Sequence, residues 1–78
     1  MRIEVNGEQR EVPDALMVEG LLKLLGVPLD RVAVERNREI VSRKKWGTTE
    51  VMEGDRLEVV QLVGGGALAG RLGKSRTP

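Results

Sequence analysis

The sequence predicts an α+β fold, a mixed sheet with one main helix packed on one face. Three observations predict it. Apolar residues alternate around an Asn-Gly pair at the N-terminus, a helical stripe follows, and the ordered-looking part of the chain closes on a β-branched run. With 78 residues there is room for one domain and a modest core.

Met1, Ile3 and Val5 alternate with Arg2 and Glu4, the period of a strand with one wet face. Asn6-Gly7 comes next, and both residues accept positive φ, so a tight hairpin turn is expected there. The return strand is expected at about Gln9 to Val12, and its polar character (Glu8, Gln9, Arg10, Glu11) suits an edge. Pro13-Asp14 ends the hairpin.

Val18, Leu21, Leu22 and Leu25 lie at i, i+3, i+4 and i+7, which predicts a helix from about Met17 to Leu25. Gly20 inside it costs up to about 1 kcal/mol relative to Ala, so packing has to hold the helix. Gly26 is a natural stop and Pro28 opposes continuation. Val32 to Glu35 reads as a short, largely buried strand, with a turn at Asn37-Arg38 and a second brief strand at Ile40-Val41. Glu53-Gly54-Asp55 is a turn, and Arg56 to Val63 is the last strand. The order of hairpin, crossover helix and further strands is compatible with a β-grasp, in which the first and last strands are central neighbours.

Composition shifts at Gly64-Gly65-Gly66. Residues 1–66 hold ten Lys/Arg against twelve Asp/Glu, a net charge of −2, whereas residues 67–78 add Arg71, Lys74 and Arg76 without an acid. Residues 67–78 offer only Leu68 and Leu72 for burial and are expected to be disordered. No apolar run is long enough to span a bilayer, and the N-terminus lacks a signal-peptide core, so a cytoplasmic location is expected.

The chain has no Cys and no His. This removes the thiol nucleophile, the thiolate metal ligand and the commonest general base. No acids are paired for general acid–base work, so neither a catalytic residue nor a metal ligand is expected.

The stretch Ala33-Val34-Glu35-Arg36-Asn37, then Ile40-Val41, Trp46, Glu53 to Val60 and finally Val63-Gly64-Gly65-Gly66 resembles the ThiS family. Asn6-Gly7 and Leu21-Leu22 fall where that family has its hairpin turn and helical leucine pair. The resemblance covers about residues 1–66. It implies a ubiquitin-like, non-enzymatic sulfur carrier, related to the MoaD family and needing no cofactor of its own. It also implies an ATP-dependent, ThiF-like activating enzyme that adenylates the terminal Gly66 carboxylate. Sulfur then replaces an oxygen, and the thiocarboxylate donates it to thiazole synthase for thiamin biosynthesis.

Two departures stand out. Met17 occupies the position where the family commonly has a capping Thr, which leaves capping to Asp14 or to water. The chain also continues from Ala67 to Pro78, whereas family members usually stop at the glycine pair. The 1–66 region is therefore expected to be the carrier domain and 67–78 an extension removed by a processing protease.

Gly64 and Gly65 form the expected flexible tail, since glycines lack β-carbons and pass through a narrow active site easily. Three extended residues reach roughly 10 Å beyond the last strand. An isolated glycine run is more often a plain linker, and only its place at the end of such a domain favours the carrier. Val60 and Leu62 alternate away from Leu57 and Val59, and are candidates for partner docking unless neighbouring loops cover them. Trp46 is expected to plug the core. Arg43-Lys44-Lys45 is a solvated loop or a weak attractor for RNA. Alternatives are a sulfur carrier for molybdopterin or another pathway, a β-grasp RNA-binding module, or a simple interaction domain.

Overall fold

A computed structural model describes residues 1–62. Strand β1 (Arg2–Val5) turns through Asn6-Gly7 into β2 (Glu8–Glu11). Both turn residues have positive φ, 51° and 85°, the mirror-image turn that matches the twist of the paired strands. Helix α1 (Val18–Leu25) crosses over, a short 3₁₀ turn at Leu29–Arg31 follows, and β3 (Val32–Arg36) and β4 (Glu39–Ile40) form a second hairpin. Another 3₁₀ turn (Arg43–Lys45) precedes β5 (Arg56–Gln61).

Among the described residues the strands form one sheet in the order β2-β1-β5-β3-β4. The first and last strands are parallel neighbours in register Glu4↔Arg56 and Val5↔Leu57, and β5 runs antiparallel to β3. This is the β-grasp arrangement. It places β2 at an edge, where its residues are all exposed.

The core lies between the sheet and α1. Val18, Leu21 and Leu22 are fully buried against Ile3, Val34 and Leu57, with Val51 also enclosed. Trp46, also in the core, donates its indole N–H to the Val41 carbonyl at 3.0 Å. A buried indole needs such a partner, and this one closes the side of the core left open by two-residue β4.

Several sequence expectations are corrected. The return strand runs Glu8–Glu11, one residue earlier than Gln9 to Val12, and Val12 is instead a buried core residue whose N–H bonds Met1. The 32–36 strand is buried on one face only: Val32 and Val34 are inside, while Ala33 is exposed. The brief partner strand is Glu39–Ile40, with Ile40 exposed.

The helix cap differs as well. Met17 is the N-cap and makes no side-chain cap bond, and Asp14 faces the N-terminal ammonium at 3.4 Å. The free N–H groups of the first turn are met by backbone carbonyls of a distant loop, Val18 by Thr49 at 2.9 Å and Glu19 by Trp46 at 3.0 Å. Tertiary structure thus replaces the missing capping side chain. At the other end Gly26, at φ 72°, lets its own N–H bond Lys23 and that of Val27 bond Leu22, a Schellman stop.

Candidate functional site

Strand β5 lies at the middle of the sheet and leads to the glycines, so its two ends locate the candidate site. On the β3 side its ladder is continuous. Asn37 N–H donates to the Arg56 carbonyl at 2.8 Å at one end, and Leu62 N–H donates to the Arg31 carbonyl at 2.7 Å at the other. Antiparallel alternation then directs the backbone groups of Arg56, Glu58, Val60 and Leu62 toward β3, and those of Leu57, Val59 and Gln61 toward β1.

On the β1 side the support is shorter. Asn6 N–H reaches the Leu57 carbonyl at 2.9 Å, and there the chain turns away into the hairpin. The next residue of β5 to face this side, Val59, is held by the Asn6 side chain. Val59 N–H donates to Asn6 Oδ1 at 2.8 Å, and Asn6 Nδ2 donates to the Val59 carbonyl at 3.2 Å. The carboxamide stands in for one more residue of β1.

The entry end of β5 is built differently. Asp55, buried, accepts from Arg36 Nε at 2.7 Å, Asn37 Nδ2 at 3.0 Å and Met52 N–H at 2.8 Å. Burial alone would raise its carboxyl, but the donations from Arg36, Met52 and Asn37 outweigh it and hold the group below the ordinary carboxylate value. Arg56 N–H adds a bond to Asn37 Oδ1 at 2.9 Å.

The faces of β5 separate as well. Leu57 and Val59 are buried under α1, whereas Val60 is half-buried and Leu62 is 39% exposed on the opposite face. Val60 sits across from exposed Ala33, so a small apolar surface adjoins the end of the strand. Glu58 and the Arg56–Glu4 ion pair (3.7 Å) occupy the same outer face further back. The expected tail residues Gly64 and Gly65, the expected conjugation residue Gly66, and the 67–78 extension lie outside the described residues.

Arg43, Lys44 and Lys45 are exposed on their 3₁₀ turn, and the Arg43 guanidinium lies 5.1 Å from the centre of the Trp46 ring. With its ring in the core, Trp46 is unavailable for stacking on a base. Among the described residues no group of three or more Asp/Glu could hold a metal ion, and no helix is long and apolar enough to cross a membrane.

Two residues do more than sequence reasoning assigns them. Asn6 reads as a turn residue but also bonds a residue 53 positions away, and Asp55 reads as a turn residue but gathers partners 18 and 19 positions away. Neither distant pairing leaves a local signal in the chain.

A model of the ThiS family matches residues 3–66. The fold is similar to a crystal structure of a thiamine biosynthesis protein (ThiS) from Geobacter metallireducens, with TM-score 0.75 and 35% identity, covering 83% of this chain and 99% of that one. An NMR structure of a thiamine biosynthesis protein from the same organism gives TM-score 0.72 and 37% identity, over 87% of this chain and 91% of the other. In sequence, a thiazole synthase from Paramagnetospirillum magneticum is 45% identical over 67 residues, or 86% of this chain. The chain spans about a fifth of the length of the thiazole synthases it matches, 21% of this one and 20% of a second from Magnetococcus marinus.

Proposed function

The chain belongs to the ThiS family, and from that membership we propose that it is a sulfur carrier of thiamine biosynthesis whose sulfur is borne on Gly66. The observation that carries this reading is the extent of the family match. It runs from the first strand to residue 66, the last of the three glycines. The β-grasp body shared with the ThiS structures brings β5, the strand that precedes the glycines in sequence, to the middle of the sheet.

The chemistry needs little of the carrier itself. A free Gly66 carboxylate attacks the α-phosphate of ATP on a ThiF-like activating enzyme, forming the acyl adenylate and releasing pyrophosphate. A reduced sulfur donor then displaces AMP, which leaves with one former carboxyl oxygen, and the carbonyl carbon keeps sulfur as a thiocarboxylate. The partners supply the catalytic groups, in keeping with a chain without Cys or His. Gly64 and Gly65 form the neck, and Val60 and Leu62 belong to the docking surface beside it. Thiazole synthase is the acceptor this reading favours, since domain-sized similarity to this chain occurs within longer proteins of that name.

In this chain Ala67 follows Gly66, so the Gly66 carbonyl is an amide with no carboxylate to activate. The carrier domain is residues 1–66, and a protease hydrolyses the Gly66–Ala67 bond to remove 67–78. The direct test offers a form ending at Gly66 and the full chain to a ThiF-like enzyme with ATP and a sulfur source, and follows both by intact mass. The trimmed form gains the mass difference of one oxygen replaced by sulfur, and the full chain does not. A trimmed form that neither forms an adenylate nor exchanges oxygen would refute the proposal. Intact mass of the protein from its native cells checks the cleavage, and a pool ending only at Pro78 would count against it.

A further inference from the structure

We infer that Asn6 is a positioning residue for the C-terminal tail: its carboxamide extends the sheet past the end of β1 and fixes the direction in which β5 delivers the glycines. The inference rests on the sulfur-carrier reading in one respect, that the tail must enter a partner's active site.

The geometry isolates this role. Strand β1 pairs with β5 only at Glu4↔Arg56 and Val5↔Leu57, while β5 continues to Gln61. From Val59 onward the strand would be supported by β3 alone. Asn6 supplies both a donor and an acceptor to the Val59 backbone, at 3.2 and 2.8 Å, in the pattern of a neighbouring strand. An Asn can do this because it sits in the turn beside β5, at φ 51°, with its side chain within reach of the Val59 backbone, and because one amide group offers both functions. Gly66 lies seven positions beyond Val59. Releasing Val59 loosens the root of that segment, so Gly66 reaches the productive position in a partner less often, and reacting groups displaced by about 1 Å can lose on the order of a hundredfold in rate.

A matched control exists at the other end of the same strand. Asn37 has the same φ of 51°, also follows a strand, and also accepts a β5 backbone N–H, that of Arg56. It supports the entry of β5 and not its exit. Glycine at either position keeps the positive-φ turn and removes only the side chain.

Amide exchange is measured on the full chain, comparing wild type, Asn6→Gly and Asn37→Gly. ATP–pyrophosphate exchange by a ThiF-like enzyme is measured on the same three proteins ending at Gly66. The described strands and helix all lie before that point. In Asn6→Gly, Val59 N–H exchange accelerates about tenfold relative to Val60 N–H, the factor that accompanies one lost hydrogen-bonded contact. The kcat of pyrophosphate exchange falls about tenfold with KM for the carrier unchanged, because docking is intact and only tail placement is lost. Asn37→Gly lowers the melting temperature but leaves the Val59/Val60 ratio and kcat at wild-type values.

A wild-type kcat in Asn6→Gly, or an equal fall in Asn37→Gly, overturns the inference, as does an unchanged Val59/Val60 ratio in Asn6→Gly. If the wild-type form supports no pyrophosphate exchange, it is the sulfur-carrier reading that fails, while the amide ratio still decides whether Asn6 holds the strand.

Discussion

The two ends of β5, a strand of six residues, are secured by different means. At the entry end the backbone is paired on both sides, through Glu4 N–H to the Asp55 carbonyl and Asn37 N–H to the Arg56 carbonyl. A buried carboxylate there is met by Arg36, Asn37 and Met52. At the exit end one side is held by β3 and the other by a single carboxamide, and the outward side chains are apolar. The entry can be rigid because nothing has to pass through it. The exit leads to the segment on which the proposed chemistry acts, beside the surface proposed for docking.

The largest expected effect breaks the entry. Asp55→Ala leaves the Arg36 guanidinium, itself 30% exposed, and the Met52 N–H without their acceptor. Partial solvation of Arg36 softens the loss, so the fold should lose about 2–3 kcal/mol. A urea unfolding midpoint checks this. Sulfur loading per folded molecule should stay at the wild-type level, and if loading collapses in the folded fraction, the two ends are coupled and the contrast fails.

The same carboxylate gives a pH dependence. Its folded value lies below the ordinary 3.8, so its contribution is fully present above that value and is lost as pH falls through the folded value. Stability measured from pH 6 down to about pH 2 should therefore drop at the acid end. The drop should be smaller in Asp55→Asn, which no longer titrates at this position. Identical acid profiles would remove Asp55 from the account.

At the exit end, if the proposed docking surface is right, Leu62→Asp should weaken binding to a ThiF-like enzyme about tenfold, which is ~1.4 kcal/mol, while changing fold stability by less than about 0.5 kcal/mol. Titration calorimetry and thermal melting separate the two. A large loss of stability instead would make Leu62 a structural residue of the strand end.

The smallest effect should leave the contrast intact. Gly20 lies in α1, and a β-carbon placed there would sit 3.0 Å from Leu16 Cδ1, the far end of a side chain that can yield. Gly20→Ala should thus stabilise by about 0.5 kcal/mol, part of the full helix-propensity difference. A destabilised variant would mean that Leu16 is fixed.

Much of this was legible in the chain. The Asn6-Gly7 turn, the helical stripe from Val18 to Leu25 and the alternation along β5 are local patterns, set by the stereochemistry of single residues and by burial of one face. The order of these elements also admits a central pairing of first and last strands, which the register Val5↔Leu57 realises. The glycines' place after the last strand is likewise a property of the sequence alone.

Other features depended on residues far apart in the chain. The carbonyls of Trp46 and Thr49 cap a helix whose own N-terminal side chains do not. Asp55 became a buried anchor only when the β3–β4 turn brought Asn37 and Arg36 to it. Asn6 became a surrogate strand residue only because β1 stops short of the end of β5. Local pattern determines which elements form, since torsional preference and periodic burial act within a few residues. Hydrogen-bonding groups left over at element ends have to be met by whatever the fold brings near, and that is decided in three dimensions.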